Sequence, residues 1–131
     1  TTEYLAASLL DMKYHTIEKP ITEDINSFEV STMKNAGMID AIIPRYRSTY
    51  FSHIFSGGYS AGYYSYIWSE VLDSDAFEAF KSTSLFNPEV AQSFRMNILQ
   101  KGGTEDPQVL YKNFRGADPK IEPLLIKRGL K

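Results

Sequence analysis

Apolar residues recur along this chain at helical rather than alternating spacing, and short punctuated gaps separate the runs. Between Thr2 and about His15, Leu5, Ala6, Leu9 and Met12 return every three or four positions behind a Thr and Glu start, which predicts a helix. Pro20 ends the stretch that follows. A second helix is expected over 22–36, capped by Thr22 or Asp24, with Ile25, Phe28 and Met33 on its apolar side and Gly37 at its stop. Residues 38–43 are a short apolar run closed by Pro44, and 48–55 should wind as a helix into the pair Gly57-Gly58. A long helix is predicted from about Ser60 or Gly62 to Phe80. In it Tyr59, Tyr63, Tyr66 and Glu70 fall on one narrow face, while Tyr64, Trp68 and Val71 read as the buried side.

The last third is marked by Asn87-Pro88, Asp106-Pro107 and Asp118-Pro119, each pairing a capping side chain with a proline at the first helical position. Helices are therefore expected over 88–101, 107–115 and 119–128, with Gly102, Gly116 and Gly129 at the stops. Val, Ile and Thr never alternate over a strand-length run, so the fold class predicted is all-α, a single helical segment over residues 1–131.

Composition narrows the function classes. The charge is −2, from 14 Lys and Arg against 16 Asp and Glu, and no basic stripe suits nucleic acid. No run approaches the roughly 20 apolar residues that cross a bilayer, so neither nucleic acid nor membrane is an expected partner. The chain has no Cys, which removes thiolate nucleophiles, disulfides and Cys-based zinc sites from this stretch. It opens Thr1-Thr2-Glu3 without an initiator Met, the pattern expected of a segment of a longer protein.

Candidate chemistry concentrates in residues 51–70, which hold four of the nine Tyr and three of the eight Gly. Phenols can donate and accept hydrogen bonds while their rings give apolar contact, and glycines let another chain come close. A row of phenols beside Gly57-Gly58 suits an extended peptide; the same pattern also suits a tyrosine-rich helix packed in a core. Arg45 and Arg47 could hold a carboxylate, but the pattern favours a pair of surface charges fixing a helix start. Glu70, Asp73 and Asp75 read as helix-surface or packing groups, and His15 as exposed near a helix end. With two His and no H-E-x-x-H, a zinc-binding helix is missing from the sequence, as are a Gly-x-Ser-x-Gly elbow and a phosphate loop.

The run His53-Ile-Phe-Ser-Gly57-Gly58-Tyr59, then Tyr63, Tyr66 and Trp68-Ser-Glu70, and later Gly102-Gly103-Thr104-Glu105-Asp106, resembles the C-terminal part of the thimet oligopeptidase and peptidyl-dipeptidase family of zinc metallopeptidases. The peptidyl-dipeptidase branch is the most similar, and the resemblance extends from Glu3 to Leu130. It implies the C-terminal portion of a larger, mostly helical zincin-type peptidase whose zinc and zinc ligands belong to an upstream part of the full-length enzyme. By motif position Tyr66 and Tyr59 would be catalytic donors to the transition state. His53 and Tyr63 would contact substrate, and the Gly57-Gly58 backbone would let the loop close. The partners implied are short peptides and the missing N-terminal, zinc-binding portion of the same chain; this stretch alone is expected to be inactive. An endo-acting oligopeptidase and a non-catalytic peptide-binding module remain the alternatives. Release of C-terminal dipeptides needs a residue that holds the substrate's terminal carboxylate, and the sequence assigns none. The expected location is the cytoplasm, with the periplasm left open.

Overall fold

The computed structural model describes residues 1–131 and contains helices and turns without strands, an all-α segment as the spacing predicts. The chain divides into two compact units, Thr1–Ile67 and Trp68–Lys131. No helix is long and apolar enough to cross a membrane.

The first unit contains α1 (Thr2–Thr16), α2 (Ile25–Asn35), a 3-10 turn (Ser48–Tyr50), α3 (Ser52–Phe55) and the first residues of α4 (Ser65–Lys81). Asp24 caps α2, accepting from the main-chain N–H of Asn26 and Ser27 at 3.0 Å each. The left-handed Gly37 follows its end. The core is Ala6, Ala7 and Leu10 of α1, Met33 of α2, Phe51, Ile54 of α3, and Tyr63. The inward face of α1 therefore differs from the apolar stripe seen in sequence. Leu5, Leu9 and Met12 lie outside, while two alanines allow close approach and Asp11 goes fully inside. Glu29 is also buried: Ser48 donates to it from both its N–H and its hydroxyl at 2.7 Å, and Arg47 pairs with it, which fastens α2 to the 3-10 turn.

The second unit holds the rest of α4, α5 (Pro88–Phe94) with a π-helical continuation over Arg95–Leu99, α6 (Pro107–Arg115) and α7 (Glu122–Lys127). Asn87 and Asp106 cap α5 and α6 as expected, and Gly116 ends α6 at φ 76°. The π stretch arises where the Asn97 amide donates to the Ser93 carbonyl at 3.0 Å, occupying an acceptor that a regular helix gives to a main-chain N–H. The expected Asp118 cap is not made. Its carboxylate instead accepts from Gln108 and Lys112, and α7 begins three residues later than the Pro119 signal predicts. Phe94 packs edge-on against Phe114 at 5.1 Å and Phe80 at 6.1 Å.

Candidate active site

The chain leaves α3 through a turn in which Ser56 and Gly57 both donate to the Ser52 carbonyl, at 2.8 and 2.9 Å, and Tyr59 donates to the His53 carbonyl at 3.0 Å. A side chain at position 57 would put its Cβ 2.9 Å from the His53 Cα, so only glycine fits. Gly58 adopts φ +81°, the left-handed region that favours glycine. The pair therefore folds the chain back tightly against α3. After it come a left-handed Ala61 (φ 53°), a turn closed by Gly62 N–H to the Tyr59 carbonyl at 2.8 Å, and the start of α4 at Ser65.

A buried carboxylate holds this loop. Asp11 of α1 accepts the main-chain N–H of Ala61 and of Tyr63, each at 2.9 Å, and meets the His15 Nδ1 at 2.8 Å. A charge taken fully out of water is tolerable only when its oxygens are filled this way. Asp11 holds the loop in a conformation in which Ala61 is left-handed, and that break in the helical run is why α4 begins at Ser65 rather than at 60 or 62. Tyr59 and Tyr63 consequently precede the helix, and the single helical face expected for Tyr59, Tyr63, Tyr66 and Glu70 is not formed.

The loop nevertheless gathers the aromatic groups. Tyr59 stacks on Tyr66 with centroids 5.0 Å apart, and Tyr63 lies 5.2 Å from Tyr66. His53 is 5.8 Å from Tyr63, 6.1 Å from Tyr59 and 4.8 Å from Tyr46. Its Nδ1 is buried without a hydrogen-bond partner. Tyr63 is only 3% exposed and belongs to the core, whereas Tyr59 and Tyr66 keep partial access to solvent. On the side read as buried, Val71 is inside, but Tyr64 and Trp68 are 52% and 47% exposed. The helix starts late and Tyr63 occupies the core in place of Tyr64. Glu70 pairs with Arg128.

Tyr63 and Tyr66 are held protonated. The Tyr59 hydroxyl beside Tyr66, followed by burial, pushes the Tyr66 pKa up to about 12. Burial first, then Tyr4 and Tyr46 beside it, raises Tyr63, with the Arg45 guanidinium acting in the opposite direction on the same hydroxyl. At neutral pH Tyr66 therefore offers a neutral O–H donor, suited to an oxygen on which negative charge develops. Four members of the cluster were not singled out from the sequence: Asp11, Tyr4 and Tyr46, with Arg45 noted only as one of a pair. The Asp11/His15 spacing of one helical turn was the available signal for the first. Of the arginine pair, Arg47 is committed to Glu29, and Arg45 stands among the tyrosines.

No group of three or more His, Asp or Glu side chains converges as a metal site, so the residues of this chain do not fit a zinc ion. The profile of Peptidase family M3 matches residues 1–130. The chain belongs to peptidase family M3. A dipeptidyl carboxypeptidase of Escherichia coli (strain K12) is 44% identical over 131 residues, covering 98% of this chain and 19% of that protein. Oligopeptidase A of the same strain is 40% identical over 132 residues (97% and 19%), and saccharolysin of Saccharomyces cerevisiae 32% over 136 (99% and 18%). This M3 chain thus spans about a fifth of the length of the relatives it matches.

Proposed function

We propose that this chain supplies the substrate-gripping and oxyanion-stabilising part of an M3 peptidase that cuts short oligopeptides, releasing dipeptides from their C-termini. The observation that carries the reading is the stacked Tyr59–Tyr66 pair, whose hydroxyls face each other while Tyr66 is held neutral far above physiological pH. Tyr66 donates to the carbonyl oxygen as it gains charge; one such donor in a water-excluded site is worth ~3 kcal/mol. Tyr59 orients that donor and is the second catalytic phenol. His53 contacts the peptide, Tyr63 backs it from the core, and the Gly57-Gly58 turn sets the loop against it. Zinc belongs to the proposal as a group held by residues outside this sequence. The remaining partners are short peptides and the rest of the polypeptide, and the cytoplasm is the location proposed, with the periplasm as the alternative.

Similarity to oligopeptidase A, at 40% identity, favours internal cleavage as the second reading. Product analysis on a blocked tetrapeptide separates the two: a free C-terminal dipeptide supports the first, internal fragments of longer peptides the second. In the full-length protein, cleavage that is indifferent to a chelator would remove zinc from the proposal. Tyr66→Phe should cut kcat about a hundredfold with little change in KM; an unchanged kcat would return Tyr66 to a packing role.

A further inference from the structure

Five arginines occur in the sequence, and three are committed to carboxylates: Arg47 to Glu29, Arg115 to Asp75 and Arg128 to Glu70. Arg45 is different. Its main-chain N–H is tied to the Glu3 carbonyl at 3.0 Å, which fixes where the side chain starts. Its exposed guanidinium stands 5.8 Å from the Tyr4 ring centre and 5.9 Å from that of Tyr46, and bears on the Tyr63 hydroxyl. No carboxylate of the chain pairs with it. Its guanidinium also hydrogen-bonds to the Tyr46 and Tyr63 hydroxyls, which hold it in place, and the rest of that planar fork is the group that matches a carboxylate with two parallel hydrogen bonds.

The position within the aromatic cluster matters as much as the charge. Tyr4, against which Arg45 stands, packs edge-on to Tyr63 at 5.9 Å, and Tyr63 lies 5.2 Å from Tyr66. Cation and phenol donor are therefore a few ring contacts apart within one unit. Release of a dipeptide requires the two groups to stand about 7 Å apart, the span of an extended dipeptide from its first carbonyl to its terminal carboxylate. We infer that Arg45 binds the terminal carboxylate of a peptide whose scissile carbonyl lies at Tyr66, so that the separation of the two groups sets the length of the released piece. This rests on the function proposed above and adds to it a residue that determines specificity.

The test is run on the full-length protein with two substrates, a blocked tetrapeptide ending in a free carboxylate and the same peptide ending in an amide. The unaltered protein should strongly prefer the acid. Arg45→Gln should raise KM for the acid about ten- to a hundredfold, leave kcat close to its original value and leave the amide unaffected. Arg45→Lys, which keeps the charge and loses the fork, should recover part of the loss. Arg95→Gln, which neutralises an exposed arginine of the second unit, should leave the preference intact. Inhibition by the dipeptide product reports the same contact without turnover, and should weaken in Arg45→Gln by a similar factor. An acid-over-amide preference that survives Arg45→Gln overturns the inference. If the unaltered protein cuts both peptides equally, the peptidase reading stands and the role of Arg45 falls; if it cuts neither, both fall.

Discussion

Asp11 and Asp75 are both buried carboxylates, one in each unit, and their partners differ in kind. Asp11 takes the main-chain N–H of Ala61 and Tyr63, together with His15. Asp75 takes mainly side chains, the Tyr111 hydroxyl at 2.6 Å and the Arg115 guanidinium at 3.0 Å, with the Lys120 main-chain N–H as a lesser partner. Main-chain donors cannot rotate away, so Asp11 dictates the path of the loop on which Tyr59 and Tyr63 ride. Side-chain donors leave the main chain of α4 and α6 satisfied within each helix, so Asp75 decides only how firmly those helices are held. In one unit a buried charge shapes the site, and in the other it secures packing.

The sharpest way to break that contrast is to remove each carboxylate. Asp11→Ala strands two buried N–H groups at about 1–3 kcal/mol each, so thermal denaturation should show a loss of roughly 2–5 kcal/mol, with the Tyr59–Tyr66 stacking lost as well. Tyr66→Phe, the next in size, should cost ~3 kcal/mol in transition-state stabilisation with no comparable loss of stability, which would place catalysis and folding on separate residues of one unit. Asp75→Asn should cost about 1–3 kcal/mol of stability and leave kcat alone; a large kcat effect would blur the distinction between the units.

The same contrast has a pH signature. Burial alone would raise the Asp75 carboxyl, but the hydrogen bonds from Arg115 and Tyr111 outweigh it and hold the group below the usual carboxylate range. A carboxyl with a depressed folded pKa stabilises above its unfolded value, near 3.9, and that stability is lost as pH falls through the folded pKa. Acid denaturation followed by circular dichroism should therefore show a steeper loss of stability below about pH 4 than in Asp75→Asn. The smallest effect expected is spectroscopic: in Tyr59→Phe the Tyr66 phenol loses the hydroxyl that raises it and should ionise below about 12 in an ultraviolet titration.

Sequence signals located the helices well where caps act locally. Asp24, Asn87 and Asp106 accept from N–H groups two or three residues on, and those helix starts were legible. Distant partners defeated the same logic. Asp118 looks like a cap but is taken up by Gln108 and Lys112, and α4 starts late because Ala61, held by the distant Asp11, is left-handed. The motif marked His53, Tyr59, Tyr63 and Tyr66 as neighbours, whereas their arrangement was not legible. Helical spacing placed Tyr63 beside Tyr66 on an exposed face, while in the fold Tyr63 fills the core and Tyr64 lies outside. Arg45 could not be told from Arg47 until Glu29 was seen to claim one of them.

The packing of Gly57 against the His53 backbone makes the double glycine a matter of shape more than of slack. In a library randomised at position 57, selection for folded protein should return glycine almost alone, because every larger residue forces α3 away from the turn. Position 103 has no neighbour within 4 Å of a would-be Cβ and should accept alanine freely. A glycine-rich motif can thus hide two kinds of invariance, one imposed by crowding and one that drift could erase.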